Sequence, residues 1–185
     1  MTSLETAMLT HGFNKRGDRQ KDDFYATPPE ATEQLLEVEQ FDGKIYEPCC
    51  GQGHISKVLI KNGYDIESTD LVDRGYGQSN IDFLMELEVR QNIVTNPPYG
   101  RLLMQFVEQC QHLSKNKVAL LLKLTFLEGQ KRKEFFKDYP PVRVHVFSKR
   151  LSLMKNGDSY EGGMMALAWF VWEKGNKDKP VVSWL

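Results

Sequence analysis

Between Lys44 and Asp70 the chain reads as strand, glycine turn, helix and second strand, and that unit narrows the fold more than any other feature. Lys44-Ile45-Tyr46-Glu47 is a short apolar-polar run that enters a turn holding Gly51 and Gly53. A helix is expected from His54 to Asn62 and a second strand from Tyr64 to Thr69. Two strands joined by a helix need a crossover, and crossovers build parallel sheets. The alternation continues with a strand at Ile93-Val94, a helix from Leu102 to Leu113, and a strand from Lys117 to Leu124. The last contains Val118 to Leu122, the unbroken apolar run expected of a central strand covered on both faces. Glu128 to Lys137 reads as the next helix. Val142 to Phe147 and Met165 to Trp172 then read as two final strands able to pair as an antiparallel hairpin across a glycine-bearing loop from Lys149 to Gly163. Ahead of all this, Pro28-Pro29 opens a helix from Glu30 to Val38 with an acidic first turn. Between Asp70 and Asn92 there is room only for a short strand near Ile81 and a short helix from Met85 to Val89, so the third strand is expected to be vestigial.

A chain of 185 residues fits one domain, expected over residues 24–185, behind a polar and mobile leader over residues 1–23. No apolar run approaches the ~18 residues of a membrane span. The leader lacks the apolar stretch and small-residue cleavage site of a secretory signal, so a cytoplasmic protein is expected. Cys49, Cys50 and Cys110 form neither a disulfide framework nor a metal-ligand spacing. A formal net charge of -1 excludes a uniformly basic surface, leaving any nucleic-acid contact to local patches.

Glu47-Pro48-Cys49-Cys50-Gly51-Gln52-Gly53-His54 lies where backbone can approach a ligand closely. It lacks the third glycine of the dinucleotide fingerprint and the Gly-Lys-Ser/Thr ending of a phosphate loop, which disfavours NAD and ATP. Asp70, at the end of the second strand, is placed to accept hydrogen bonds from both hydroxyls of a ribose. Asp82-Phe83 would set a carboxylate against an adenine amino group and a ring against its face. Tyr25-Ala26-Thr27-Pro28-Pro29 precedes the first helix and can fold back across the strand ends. Taken singly, Asp70 is a turn residue, Glu47 a capping acid and His54 a helix-terminus residue; taken in this order they describe a ligand site.

Asn96-Pro97-Pro98-Tyr99 follows Ile93-Val94 and so emerges at the carboxyl edge of the sheet, where open α/β sheets hold ligands. Neither proline has an N–H, so this backbone offers acceptors without donors. The Asn96 amide oxygen and the Pro97 carbonyl would accept both hydrogens of a planar amino group and turn its lone pair outward. Tyr99 would stack on the ring that carries the amine, worth ~1–3 kcal/mol per base in comparable sites. No metal or covalent nucleophile is needed.

With these motifs the chain resembles the class I S-adenosylmethionine-dependent amino-methyltransferases, and within them small phage and bacterial N6-adenine methyltransferases. The resemblance runs from Asp22 to Trp184 and rests on Tyr25 to Pro29, Glu47 to His54, Thr69 to Gly77, Asn96 to Tyr99, and Ala166 to Trp172. It implies a Rossmann-like α/β fold with a mostly parallel, seven-stranded-type sheet ending in an antiparallel hairpin. It implies that Gly51, Gly53, Asp70 and Asp82 bind S-adenosylmethionine, that Tyr25 and Thr27 line its methionine end, and that Asn96 to Tyr99 hold the target amine. Glu47, Leu71, Phe83 and Asn96 complete the expected cofactor contacts. The target implied first is adenine N6 in DNA, flipped out of a duplex or taken from a single strand. RNA adenine, a protein glutamine and a non-catalytic cofactor-binding module remain as rivals.

Family members acting on DNA usually carry a separate recognition domain, and none is expected here, so target selection would be weak or come from a protein partner. Lys15, Arg16, Arg19 and Lys21 in the leader, Lys131-Arg132-Lys133, and Lys149-Arg150 are the basic clusters available to nucleic acid. Tyr160 with Gly157, Gly162 and Gly163 would form a lid or an ordinary flexible hairpin. The oligomeric state is left open.

Overall fold

The computed structural model describes residues 25–151 and 165–185, together with the strand pair Met154–Lys155 and Asp158–Ser159. The leader and the glycine-bearing stretch around Tyr160, expected as a lid or an ordinary hairpin, lie outside the described residues.

Helix α1 (Pro29–Val38) is followed by β1 (Ile45–Glu47), α2 (His54–Lys61), β2 (Ile66–Ser68), β3 (Arg90–Thr95), α3 (Leu103–Leu113), β4 (Ser114–Lys123), α4 (Gln130–Asp138) and β5 (Arg143–Val146). The short pair β6 (Met154–Lys155) and β7 (Asp158–Ser159) comes next, then β8 (Leu167–Glu173) and β9 (Val181–Trp184). The main sheet has seven strands in the order β2-β1-β3-β4-β8-β5-β9. Only β8 runs against the others: it pairs antiparallel with both β4 and β5, while the remaining pairings are parallel. The expected hairpin is present, with β8 inserted between β4 and β5.

Strand alternation sorts the core into two layers. Ile93, Val118, Leu120, Leu122, Phe170 and Trp172 face one side, with Phe106, Val107 and Cys110 of α3 and Phe135 of α4. Ile45, Val94, Ala119, Leu121, Trp169 and Val171 face the other, with Ala31 and Leu35 of α1 and Ile55 and Leu59 of α2. Burying both faces of β4 is why its sequence is continuously apolar rather than alternating.

At the amino end of the sheet, Glu39 is buried beside two cations and a histidine. It accepts from Lys117 Nζ at 2.8 Å, from Arg143 through Nη2 at 2.9 Å and through Nε, and from His145 Nε2 at 2.9 Å. Burial disfavours its charge, but the hydrogen bonds from His145, Arg143 and Lys117 outweigh it and hold its pKa at about 2 rather than 4.5. This locks the end of α1 to β4 and β5, at the opposite end of the strands from the segment Asn96–Tyr99.

Three details differ from the sequence expectation. No strand forms near Ile81; the place beside β2 holds a single parallel bridge, Thr69 to Gln78, in a stretch where Gly75, Gly77 and Asn80 adopt positive φ. The helix expected from Met85 to Val89 is one 3-10 turn, Phe83–Met85, after which the chain extends. Glu86 and Glu88 there reach Arg90 at 3.5 and 2.5 Å, an ion cluster an extended chain can make. Finally, β9 adds an edge strand that the sequence reading ended short of, and it brings the sheet to seven without a third strand on the other edge. Among the described residues no helix is long and apolar enough to cross a membrane.

Candidate active site

The turns after β1, β2 and β3 and the segment before α1 meet around a cleft of about 210 Å³ at the carboxyl ends of the strands. Nine of the residues singled out in the sequence line it. Asn96, Pro97, Pro98 and Tyr99 come from the end of β3, Glu47 from β1, Asp70 and Leu71 from the end of β2, and Tyr25 and Thr27 from the entry segment.

The glycine turn is joined to β2 by a direct bond. Gly51 has φ +54°, a left-handed geometry unfavourable to other residues, and its N–H donates to Asp70 Oδ2 at 2.8 Å. The other carboxylate oxygen, Oδ1, accepts from Val72 N–H at 2.9 Å. A carboxylate oxygen carries two acceptor sites, so both oxygens keep capacity for a ligand. Gly53 closes the turn at φ +77°, and a Cβ there would sit 2.4 Å from the Tyr76 ring. Its small size therefore admits Tyr76, whose ring is crossed by the Lys57 ammonium 5.1 Å from its centroid. Neither Gly51 nor Gly53 is among the cleft-lining residues.

Glu47 is buried and turned toward α2. It accepts from the Ser56 backbone N–H at 2.9 Å and from the Ser56 hydroxyl, which in turn lies 2.6 Å from Ser68 Oγ. Burial raises its pKa to about 8 against the Ser56 hydrogen bonds, with the nearby Asp70 charge adding to the rise. Near neutrality it is largely protonated.

Asn96 shows the most telling bonding pattern. Its Nδ2 donates to the Tyr25 carbonyl and to Thr27 Oγ1, both at 3.1 Å. Its Oδ1 is buried and has no partner among the described residues. An unmatched buried acceptor costs ~1–3 kcal/mol, so such an atom calls for a ligand or a water. Tyr99 donates its hydroxyl to the Leu121 carbonyl at 3.0 Å, and the Lys123 ammonium stands 5.2 Å from the ring centroid. Burial pushes the phenol far above its usual range, so it remains a neutral donor.

Asp82 and Phe83 do not line this cleft. Asp82 accepts from Leu84 N–H at 3.0 Å and caps the 3-10 turn, and Phe83 is buried in the core with its ring centroid 4.4 Å from that of Phe106. The cleft also holds His54, read from the sequence as part of a ligand site, and three residues given no role there: Cys49, Cys50 and Arg74. Burial raises the pKa of the Cys49 thiol, and burial together with Lys57 lowers that of the His54 imidazole. Cys49, Cys50 and His54 belong to the glycine-turn stretch, and Arg74 sits four residues past Asp70 in the loop closing over it; those positions were the available signal. Among the described residues no group of three or more His, Cys, Asp or Glu is arranged to hold a metal ion.

No family model matches the chain, and no curated protein matches it in sequence. Solved structures do match. A putative RNA methyltransferase from Pyrococcus horikoshii superposes with a TM-score of 0.63 at 12% identity, over 94% of this chain and 98% of that one. A modification subunit of a putative type I restriction enzyme from Vibrio vulnificus YJ016 gives 0.59 at 14% identity, over 96% of this chain but only 49% of that one, so this chain spans about half its length. Magnesium protoporphyrin IX methyltransferase from Synechocystis PCC 6803, solved with bound S-adenosylmethionine, gives 0.57 at 9% identity over 94% of this chain and 92% of that one. The fold is that of the Rossmann-like methyltransferases.

Proposed function

We propose that this chain is an S-adenosylmethionine-dependent methyltransferase acting on an exocyclic amino nitrogen, with adenine N6 in DNA as its leading target. The observation that carries the reading is the Asn96 amide, whose nitrogen is engaged by the chain and whose oxygen is buried without a partner.

The residues fit the cofactor. Asp70 keeps acceptor capacity for a ribose diol, and Leu71 beside it is 58% exposed, leaving an apolar surface for a flat ring. Tyr25 lines the cleft beside Asn96. When bound, S-adenosylmethionine supplies a methyl group on a positively charged sulfur.

The remaining work falls to the chain. Asn96 Oδ1 and the Pro97 carbonyl accept the two hydrogens of the target amine, which draws the nitrogen lone pair out of conjugation with the ring. Those acceptors strengthen their hold as positive charge grows on nitrogen, which favours the transition state over the ground state. Tyr99, held by Leu121, offers a fixed ring face to the base. Residues 24–185 act as one domain, with target selection weak or supplied by a protein partner.

RNA adenine is the second reading, favoured by the near full-length match to a putative RNA methyltransferase, against half-length coverage of the restriction subunit. Incubation with radiolabelled cofactor and equal masses of DNA, RNA and protein extract tests both. Label in DNA is expected; label in RNA alone moves the assignment to the second reading, and label in protein alone rejects both.

A further inference from the structure

We infer that Thr27 is a positioning residue for the Asn96 side chain, and that it serves the cleft by fixing an amide rather than by binding the cofactor. The inference rests on the role given to Asn96 under the proposed function.

A side-chain amide is nearly symmetric in shape, and exchanging its oxygen and nitrogen by a half-turn meets little steric resistance. Its orientation is therefore decided by its hydrogen-bond partners. On one side of Asn96 stands the Tyr25 carbonyl, which can only accept, and beside it the Thr27 hydroxyl; both are 3.1 Å from Nδ2. Together they take both protons of Nδ2, which leaves Oδ1 as the end of the amide turned away from the entry segment. A half-turn would set Oδ1 against the Tyr25 carbonyl, acceptor against acceptor, and would aim two N–H donors at a target amine that is itself a donor.

Thr27 is only 3% exposed and sits one residue before the Pro28-Pro29 pair that starts α1, so its hydroxyl is delivered by rigid backbone. Thr27 and Asn96 are 69 residues apart, and the bond between them ties the entry segment to the end of β3. The entry segment thus sets the acceptor direction of the catalytic amide.

Thr27→Val keeps shape and removes the hydroxyl, while Thr27→Ser keeps it. Two readouts are taken on the full chain. The first is exchange with solvent of the two Asn96 side-chain amide protons, measured by NMR on nitrogen-labelled protein without substrate, with Asn96→Ala identifying the signal. The second is kcat, KM and cofactor Kd for methyl transfer to DNA. Thr27→Val should accelerate exchange severalfold and lower kcat roughly tenfold with cofactor Kd unchanged, as expected for one lost hydrogen bond; Thr27→Ser should behave as wild type in both. Unchanged exchange in Thr27→Val overturns the inference, and so does a weakened cofactor Kd with kcat intact, which would make Thr27 a binding group. If wild type methylates no nucleic acid, the proposed function falls while the exchange rates still decide whether Thr27 holds Asn96.

Discussion

Asp70 accepts the Gly51 N–H across 2.8 Å, so the carboxylate ending β2 and the glycine turn following β1 form one unit although 19 residues separate them. That bond fixes the position of Asp70, which lines the same cleft as Asn96. An acid able to bind a ribose and an amide able to bind an amine thus open onto one space.

Replacing Asn96 with Ala removes the unpartnered acceptor and leaves Asp70 and the glycine turn untouched. Methyl transfer should fall by about a hundredfold or more, comparable to losing one preorganised hydrogen-bonding group elsewhere. Cofactor affinity by calorimetry should stay within a few-fold. Loss of cofactor binding instead would make Asn96 a ligand for the cofactor rather than for the amine.

Gly53→Ala forces a side chain onto a backbone at φ +77° and drives a Cβ into the Tyr76 ring at 2.4 Å. Urea denaturation should show a loss of ~1–3 kcal/mol, with Tyr76 displaced from the turn. An unchanged midpoint would mean that Tyr76 does not pack against Gly53.

Glu47 gives stability a distinctive pH dependence. Its folded pKa is raised from 4.5 to about 8, so the native state retains a proton that the unfolded chain has released. Its contribution is fully present below about pH 4.5 and is lost as pH rises through about 8, with a slope of at most ~1.4 kcal/mol per pH unit. Glu47→Gln, which cannot ionise, should flatten the decline between those limits in a series of denaturation curves. An equally steep decline in the variant would place its source elsewhere.

Glu39 has the opposite sign. Held at about 2, it adds stability above pH 4.5 that disappears as pH falls toward 2. Glu39→Ala removes an acceptor from Arg143, Lys117 and His145, of which Arg143 and Lys117 keep Glu173, and should cost ~1–3 kcal/mol at neutral pH, read by chemical denaturation. A loss below 1 kcal/mol would show that water replaces the carboxylate.

The parallel unit from Lys44 to Asp70 was legible because strand and helix periods and the glycine turn all agree there, and the Val118 to Leu122 run announced a strand covered on both faces. β9 was not legible: Val181, Val182 and Trp184 are exposed on an edge strand, so no buried face imposes alternation on it. Asp82 and Phe83 do not line the cleft, for another reason. Chain order puts them after β2, but it does not say that the Phe83 ring fills a gap against Phe106 and Tyr46 while Asp82 serves its own turn. The Asn96 to Thr27 bond was equally hidden, because its ends meet only once the entry segment has folded over the strand ends.

Under the proposed function, Asn96 presents an acceptor to an adenine amine. DNA incubated with cofactor and either wild type or Asn96→Ala, then digested to nucleosides and read by mass spectrometry, tests it directly. N6-methyldeoxyadenosine should form with wild type and be nearly absent with the variant. A methylated nucleoside other than adenosine, or equal yield from both proteins, would contradict the account.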